Sequence, residues 1–275
     1  MTSEVELLIG ILLIVGLGLV AIRWHAIDLL GAISGAIISF LAFLAGSFPW
    51  LFMIVIFVGV SSALTKYKYD YKRKIGFAQE KSGTRSWPNS IANAGVAAIA
   101  SVAELYTHSE IFAVMFLTSV AAALSDTLAT EVGLLSPSRP RLITNLSKTV
   151  EPGTSGGISL LGDAAAVLSA IGMSLVGLAV LAIKGMGPWN SAAASLAVIL
   201  GAVIGVFFDS LLGATVQGVN KCAVCGKFTE NLTHHGQKTI TDRGLRFVDN
   251  NVVNFIGILV GALISIGVYL LLVPL

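Results

Sequence analysis

The chain has 275 residues and a formal net charge of +2, from 17 Lys and Arg against 15 Asp and Glu. Only 12% of its residues are charged and 55% are hydrophobic, whereas about a quarter of the residues in a soluble domain are charged. Together with a mean hydropathy of +0.87, this composition excludes an ordinary soluble domain and predicts a polytopic membrane protein.

Apolar segments of the chain are long enough to cross the hydrocarbon core of a bilayer as helices. We count eight, at 5–22, 26–46, 49–65, 87–106, 110–133, 156–183, 190–213 and 248–273. The first is interpreted as a membrane span and not as a signal peptide, because no cleavage site of small residues follows it. The glycine-rich start of 156–183 is compatible with a broken or re-entrant helix. The predicted fold class is therefore an all-α transmembrane helical bundle, forming a single domain over 1–275.

Three long connections, at 66–86, 134–155 and 214–247, contain most of the cations. With eight spans, strict alternation puts these connections and Arg23 on one face, and of all Lys and Arg only Lys184 lies opposite. By the positive-inside rule the basic face is cytoplasmic. The sequence thus predicts a multi-pass protein of the cell membrane with both termini outside.

Polar side chains that are costly inside a bilayer gather near the cytoplasmic ends of five spans. They are Asn89, Asn93, Asp126, Thr130, Glu131, Asp163, Asp209, Ser210, Asp249, Asn250, Asn251 and Asn254. Carboxylates and amides at one depth suit Mg²⁺, which binds one or two carboxylates together with substrate phosphates. An interhelical hydrogen-bond network or a proton relay explains any single acid equally well. For the cluster as a whole, a metal or phosphate site is favoured.

The segment 152–157, PGTSGG, leads into the sixth span. Glycines let a ligand approach the backbone closely, and the N–H groups that open a helix attract phosphate. A plain helix cap by Thr154 or Ser155 explains the same residues. The cations Arg139, Arg141 and Lys148 just upstream favour anion binding. No Gly-Lys-Ser/Thr sequence follows, so the segment is not a P-loop.

Two further segments have both a structural and a functional interpretation. The basic connection 66–86 either fixes topology beside anionic lipid or forms a lid whose Lys81 and Arg85 contact a phosphate. In the third connection, the ligand types and the close spacing of the cysteines are those of a small structural zinc site. The alternative is a pair of reduced thiols that bind no metal. The candidate zinc ligands are Cys222, Cys225, His234 and His235.

The chain resembles an integral membrane family that includes the plant phytyl-phosphate kinase of the tocopherol pathway and has archaeal and cyanobacterial members. The similarity extends from about Lys81 to Asn254. It rests on SDTLATEVG at 125–133, PRLIT at 140–144, PGTSGGISLLG at 152–162, the Cys-x-x-Cys pair and DNNVVN at 249–254. One departure concerns the cysteine loop, where His235 stands at a position that is Cys in the family pattern.

The resemblance implies transfer of the γ-phosphoryl group of a nucleotide, CTP by analogy with polyprenol kinases, to phytyl, geranylgeranyl or farnesyl phosphate, with Mg²⁺. On this interpretation Asp126 and Glu131 bind the metal or act as a base, and Asp163 is a third catalytic carboxylate. The predicted nucleotide- and phosphate-binding residues are Lys81, Arg85, Asn89, Arg139, Arg141, Lys148, Gly153, Thr154, Ser155, Gly156, Gly157, Asp209, Asp249, Asn250 and Asn254.

Other functions stay open at this point. A CTP-dependent polyprenol kinase or a lipid cytidylyltransferase has the same requirements for nucleotide and Mg²⁺. A secondary transporter also contains intramembrane acids, but its functional groups lie near the midplane and its halves repeat. The predicted partners are a prenyl-phosphate lipid, a nucleotide and membrane lipid, without nucleic acid, and an oligomer is compatible with the sequence.

Overall fold

The long apolar segments of the sequence form the helices of the computed structural model, which describes residues 3–74, 84–226, 228–229, 233–234 and 236–273. Two residues singled out above, Lys81 and His235, lie outside these ranges, as does the side chain of His234. The helices are α1 (Glu4–Arg23), α2 (Leu29–Lys66), α3 (Tyr69–Lys74), α4 (Trp87–Thr107), α5 (Glu110–Gly133), α6 (Leu160–Ile183), α7 (Pro188–Thr215) and α8 (Asn250–Leu272). The predicted class, a transmembrane helical bundle, is confirmed.

Short strands occupy the connections that the sequence analysis treated as loops. They are β1 (Arg141–Leu142), β2 (Asn145–Thr149), β3 (Gly157–Ile158), β4 (Val219–Lys221), β5 (Phe228–Thr229), β6 (Thr233–His234), β7 (Gln237–Lys238) and β8 (Ile240–Arg243). The strands pair antiparallel in the orders β2-β1-β3, β5-β4-β8 and β6-β7. These small sheets add to the helical bundle without changing its class.

Helix α2 contains two of the predicted spans, folded back on each other. A straight helix of its 38 residues would be about 57 Å long. Instead Ser47 has φ 57° and ψ −150°, and Pro49 follows it. Because of this break, Lys66 at the end of α2 donates a hydrogen bond to the carbonyl of Trp24, which lies just before its start. The arms 29–46 and 48–66 therefore cross the bundle in opposite directions, as the sequence predicts.

Among the residues that the structure describes, six helices are long and apolar enough to cross a membrane, namely α1, α2, α5, α6, α7 and α8. Helix α2 contributes two arms, and the less apolar α4, with 21 residues, packs against α2, α5 and α8. In the described ranges the predicted count of eight spans is thus reproduced. The span expected at 156–183 begins later, at Leu160, and continues unbroken to Ile183.

Helix α5 lies at the centre of the bundle. Its residues from Ala113 to Ser125 are all buried, and it contacts α2, α4, α6, α7 and α8. Near its start Phe116 stacks on Trp50, with 4.7 Å between the ring centres. Near the end of α5, Thr127 and Glu131 are also buried, so these polar side chains face the interior of the bundle.

The long connections meet at one end of the bundle, here called the basic end and formed by the described residues of 23–28, 66–86, 134–155 and 214–247. The backbone N–H of Arg85 donates to Ala26 at 3.0 Å. Lys72 contacts Glu131, and Arg243 donates to the carbonyl of Ser155 at 3.0 Å. These contacts join the first connection to 23–28 and to the end of α5, and the third connection to the second, so all of them lie at one end, as strict alternation of the spans requires.

The opposite end of the bundle contains its own charged cluster. Glu104 accepts a hydrogen bond from the indole N–H of Trp50 at 2.7 Å and forms an ion pair with Lys184. The ammonium of Lys184 lies 4.0 Å from the centre of the Trp50 ring. Glu104 therefore neutralises Lys184, the cation predicted to lie away from the basic connections. The excess of positive charge lies at the basic end.

Candidate active site

Glycines bring α7 and α8 so close together that their backbones touch. A Cβ added at Gly205 would lie 2.9 Å from the carbonyl oxygen of Gly257, and one added at Gly257 would lie 3.0 Å from the Cβ of Asp209. Small residues allow this kind of approach between membrane helices. Asp209, one turn after Gly205, consequently meets Asn254, three residues before Gly257.

We expect Gly205→Val to destabilise the protein by about 1–3 kcal/mol, because the added methyl groups must displace the backbone of α8. Thermal unfolding in detergent measures this effect. Gly267→Val is the matched control, since a Cβ at Gly267 has no neighbour within 4 Å. Equal unfolding midpoints for the two variants would contradict the close approach of the helices.

Asp126, Asp209 and Asn254 line one small cavity between α5, α7 and α8. Its volume of about 10 Å³ is close to the smallest that can hold one water molecule. The amide nitrogen of Asn254, in the orientation that satisfies its neighbours, donates to Asp209 Oδ2 at 3.1 Å and to the carbonyl of Asn250 at 2.9 Å. Of the residues predicted to converge, these are the ones that the structure brings into direct proximity.

The carboxylates that line the cavity have the chemistry of ligands for a hard cation. Asp126 and Asp209 supply carboxylate oxygens, which Mg²⁺ prefers, and one or two of them suffice when phosphates and water complete the coordination. Within the described ranges no group of three or more His, Cys, Asp or Glu side chains is placed to hold a metal. A cation at this cavity therefore depends on ligands from a substrate.

Glu131 forms a buried ion pair with Lys72 of α3. The Nζ–Oε2 distance is 2.6 Å, and the side chains are 2% and 3% exposed. Lys72 also donates to the carbonyl of Leu64 at 2.7 Å. The other carboxylate oxygen, Glu131 Oε1, is buried without a hydrogen-bond partner in the described part of the chain. Only one oxygen of this predicted ligand is thus available to a metal or substrate.

Sequence reasoning missed the role of Lys72. It is one of five cations between Lys66 and Lys74, and nothing in the sequence separates it from its neighbours. Lys68 has φ 51°, in the left-handed region, and this turn directs the short helix α3 back over the bundle. This reversal puts the side chain of Lys72 inside the protein.

Arg85 lies within reach of both acids on α5. Both its backbone N–H and its carbonyl bond to the segment 26–28, and its guanidinium lies 5.8 Å from the centre of the Phe57 ring. Burial lowers the pKa of Arg85, whereas the carboxylates of Glu131 and Asp126 raise it. Since an arginine in a protein keeps its proton, a half-buried positive charge interacts with the carboxylates of both Glu131 and Asp126.

Asn89 and Asn93 lie in the first two turns of α4. The amide of Asn93, which is 4% exposed, donates to the backbone carbonyl of Asn89 at 2.9 Å. Asn89 Oδ1 is buried and has no hydrogen-bond partner in the described ranges. The predicted binding residue Asn89 therefore offers an unused acceptor in a helix that packs against α2 and α5.

The PGTSGG segment packs on the C-terminal end of α7. Gly156 has φ +79°, and a Cβ there would lie 2.4 Å from the Cβ of Ala214. The N–H of Gly157 is used within the turn, donating to the carbonyl of Thr154 at 2.8 Å. Helix α6 begins only after Ser159, whose side chain accepts from the third residue on. The expected cap by Thr154 or Ser155 is therefore wrong, and the segment does not form the first turn of a helix.

Arg243, which the sequence analysis did not single out, fixes this segment to α7. Its guanidinium donates to the carbonyls of Ser155 at 3.0 Å and of Ala214 at 3.4 Å. A Cβ at Gly213 would lie 3.0 Å from the backbone nitrogen of Gly156. Gly213 lies one turn after Asp209, on the same face of α7. The PGTSGG segment, which contains Gly153, therefore packs just beyond Asp209 at the end of this face.

The three cations upstream of PGTSGG do not join the acids. Arg139 forms an ion pair with Glu151 at 3.2 Å, with both side chains 68% exposed. Arg141 donates to the carbonyl of Leu146 at 2.6 Å, inside its own hairpin. Lys148 lies exposed on β2. The predicted phosphate clamp is thus not assembled in this structure.

Two further predicted site residues have different positions. Asp249 is exposed and caps α8, accepting a hydrogen bond from the N–H of Val252 at 2.9 Å. The neighbouring Asn250 is exposed and supplies the carbonyl that holds Asn254. Asp163 lies half-buried in the first turn of α6. The role of Asp249 as the N-cap of α8 explains why an acid stands directly before this helix.

The cysteines of the third connection follow β4. Cys222 is 2% exposed, Cys225 is exposed, and neither forms a disulfide. The carbonyl of Cys222 accepts from the N–H of Gly226 at 2.9 Å. His235 and the side chain of His234 lie outside the described residues, so the zinc site stays a prediction.

Known proteins resemble this chain over most of its length. The model of the family described as integral membrane protein DUF92 matches residues 12–262. Protein PGR of Arabidopsis thaliana is 30% identical over 258 residues, which are 87% of this chain and 88% of that protein. Protein VTE6, chloroplastic, of the same plant is 24% identical over 237 residues, or 82% and 62% of the two chains. An uncharacterized membrane protein of Methanocaldococcus jannaschii is 29% identical over 178 residues, or 64% and 72%. No solved structure matches.

Proposed function

The chain belongs to the integral membrane protein family DUF92, and from this premise we propose that it is a prenyl-phosphate kinase. This is the family that the sequence motifs indicate, with the plant phytyl-phosphate kinase among its members. The proposed reaction transfers the γ-phosphoryl group of a nucleotide, CTP in our proposal, to phytyl, geranylgeranyl or farnesyl phosphate. Its products are a prenyl diphosphate and a nucleoside diphosphate.

One observation carries the proposal. Asp126 and Asp209 share a cavity at the basic end, and the charges of both Glu131 and Asp126 interact with that of Arg85. Phosphoryl transfer requires little covalent chemistry from a protein, because positioning and neutralisation of charge account for most of the catalysis. Half-buried acids and a half-buried cation, close to a membrane surface, suit a reaction between two phosphates, one of them attached to a lipid.

The proposed chemistry balances without a strong base. An oxygen of the lipid phosphate attacks the γ phosphorus, the bond from that phosphorus to its bridging oxygen breaks, and the bridging oxygen leaves with the nucleoside diphosphate. A phosphate monoester has its second pKa near 6, so the attacking oxygen is largely ionised at neutral pH. Arg85 would orient the phosphates and neutralise part of their charge, while the prenyl tail stays among the apolar helices.

Asp126 and Asp209 are the residues that would hold Mg²⁺, with Asn254 orienting Asp209. Bound there, Mg²⁺ would neutralise charge on the phosphates. The sequence analysis assigned Glu131 to the same metal, and its Oε1 atom is compatible with that role, although Oε2 is bound to Lys72. We further infer that the basic end faces the cytoplasm, by the positive-inside rule, which puts both termini outside.

The test uses purified protein in detergent with Mg²⁺, CTP or ATP, and prenyl alcohols and monophosphates of several chain lengths. We expect label from γ-³²P nucleotide to appear in a prenyl diphosphate, and the transfer to stop when EDTA removes Mg²⁺. Label transferred from α-³²P CTP would instead indicate a cytidylyltransferase, and transfer to the alcohols alone would indicate a polyprenol kinase. Absence of transfer to every lipid would contradict the proposal.

A further inference from the structure

Two hydroxyls in the second arm of α2 lack the hydrogen bond that several other buried hydroxyls in the helices form. Serine and threonine inside a helix commonly donate to the carbonyl four residues earlier. Ser101, Thr118, Ser119 and Thr127 all do so, at 2.7–3.0 Å. Ser61 and Thr65 are 0% and 2% exposed, yet their hydroxyls have no hydrogen-bond partner in the described ranges. Both hydroxyls are therefore available to a ligand.

The same two hydroxyls share a helix face with the ring that contacts Arg85. Phe57, Ser61 and Thr65 follow one another at intervals of four residues, so their side chains lie along one stripe of α2. The Arg85 guanidinium lies 5.8 Å from the centre of the Phe57 ring. Its five N–H donors form no hydrogen bond or ion pair with the side chains or carbonyls that the structure describes. A half-buried cation with unused donors thus lies beside Phe57, on the same helix stripe as the two unused hydroxyls.

The neighbouring helices contribute two more unpartnered atoms. Lys72 bonds both the carbonyl of Leu64 and Glu131, which brings Glu131 beside the last turn of α2. Glu131 Oε1 and Asn89 Oδ1 are buried without partners in the described part of the chain. An unsatisfied buried polar atom costs about 1–3 kcal/mol. Several of them on segments that meet at the end of the bundle where Arg85 lies indicate that a polar ligand completes the site.

We propose that Ser61, Thr65, Arg85, Asn89 and Glu131, here called the Arg85 cluster, bind a phosphate group at a place separate from the Asp126 cavity. A guanidinium binds phosphate through two parallel hydrogen bonds, and the two hydroxyls can donate to the remaining oxygens, while Asn89 Oδ1 can accept from a P–OH or from a water. The P–OH of a singly protonated phosphate, or a water, supplies the donor that Glu131 Oε1 lacks.

The balance of charges supports this assignment. Lys72 neutralises Glu131 at 2.6 Å, so Asp126 is the remaining acid that offsets Arg85. A cation held by Asp126 and Asp209 would occupy that acid and leave the charge of Arg85 to a phosphate. The proposal deepens the proposed function and rests on it only for the bearer of the phosphate, which is either the lipid acceptor or the nucleotide.

Direct binding tests the cluster without any assay of transfer. The full chain in nanodiscs is titrated with ³²P inorganic phosphate, geranyl monophosphate and CTP. Arg85→Gln should weaken phosphate binding by about 10- to 100-fold, as expected for loss of a hydrogen bond between charged groups. The phosphate affinity of Arg85→Lys should lie between that of Arg85→Gln and that of the wild type, because an ammonium cannot bind phosphate in a bidentate manner. The double variant Ser61→Ala/Thr65→Val should lose about tenfold.

Ser169→Ala is the matched control. Its hydroxyl is also buried and lacks a hydrogen-bond partner in the described ranges, but it lies on α6. Phosphate affinity should be unchanged in this variant. Thr65→Val alone preserves the shape of the side chain and keeps the test valid if the double variant does not fold.

The outcomes separate this inference from the proposed function. If weaker binding is confined to geranyl monophosphate, the cluster holds the acceptor, and if it is confined to CTP, the cluster holds the donor. Wild-type affinity in the hydroxyl variants, or no phosphate binding by the wild type, would overturn the inference even if the protein is a kinase. If the variants lose phosphate binding but no lipid accepts label, the cluster stands and the proposed function fails.

Discussion

Replacing Asp126 by asparagine should lower the rate of phosphoryl transfer by roughly 10³-fold while leaving the protein folded. The side chain keeps its size, and the small cavity that it lines with Asp209 and Asn254 keeps its shape. The variant loses the charge proposed to bind Mg²⁺ and the charge that attracts Arg85. We expect Asp209→Asn to act in the same direction, because the second carboxylate faces the same cavity.

The measurement is the turnover rate at several Mg²⁺ concentrations, with thermal unfolding recorded on the same preparations. A metal ligand predicts that part of the lost rate returns at high Mg²⁺, whereas a residue that only supports packing predicts a lower unfolding temperature. Asp242→Asn is the control, since Asp242 is exposed on β8 at the same end of the bundle. If Asp126→Asn retained wild-type turnover at saturating Mg²⁺, the cavity could not be the metal site.

The sequence allowed the arrangement of the spans and the depth of the acids to be predicted. Chain order and the distribution of Lys and Arg were sufficient, because each span must start where the previous one ends. The turn at Ser47 and the meeting of the three basic connections follow from this constraint. Asp126, Asp209 and Asn254 could be placed at one end for the same reason, and their family could be identified from local motifs.

The side-chain partners could not be predicted, because they depend on contacts between distant segments. The PGTSGG segment has the composition of a phosphate loop, but its Gly156 packs against Ala214. Asp249 has the appearance of a site acid but caps α8. Ser61 and Thr65 lie in a strongly apolar stretch, where hydroxyls usually bond their own helix, and only the position of Arg85 distinguishes them.

The buried pair Lys72–Glu131 gives the second large expected effect. Lys72→Met should destabilise the protein by about 3–5 kcal/mol, because it leaves a buried carboxylate without its partner. Glu131→Leu should destabilise it by a similar amount for the opposite reason. The double variant Lys72→Met/Glu131→Leu should recover most of the stability, since apolar side chains can replace a buried ion pair.

Equilibrium unfolding of the four proteins gives the coupling energy between the two side chains. The exposed pair Arg139–Glu151, at 3.2 Å, serves as the control, and its coupling should be about 0–1 kcal/mol. Additive effects of Lys72→Met and Glu131→Leu would show that the two charges do not interact, which would contradict the 2.6 Å contact.

The activity of the double variant separates a structural role of the pair from a role in transfer. If the pair only holds α3 against α5, recovered stability should bring recovered turnover. We expect recovered stability without turnover, because Glu131 Oε1 is buried without a described partner and belongs to the Arg85 cluster, and because leucine removes this oxygen. Wild-type turnover in the stable double variant would exclude Glu131 from the reaction and leave Asp126 and Asp209 as the acids of the site.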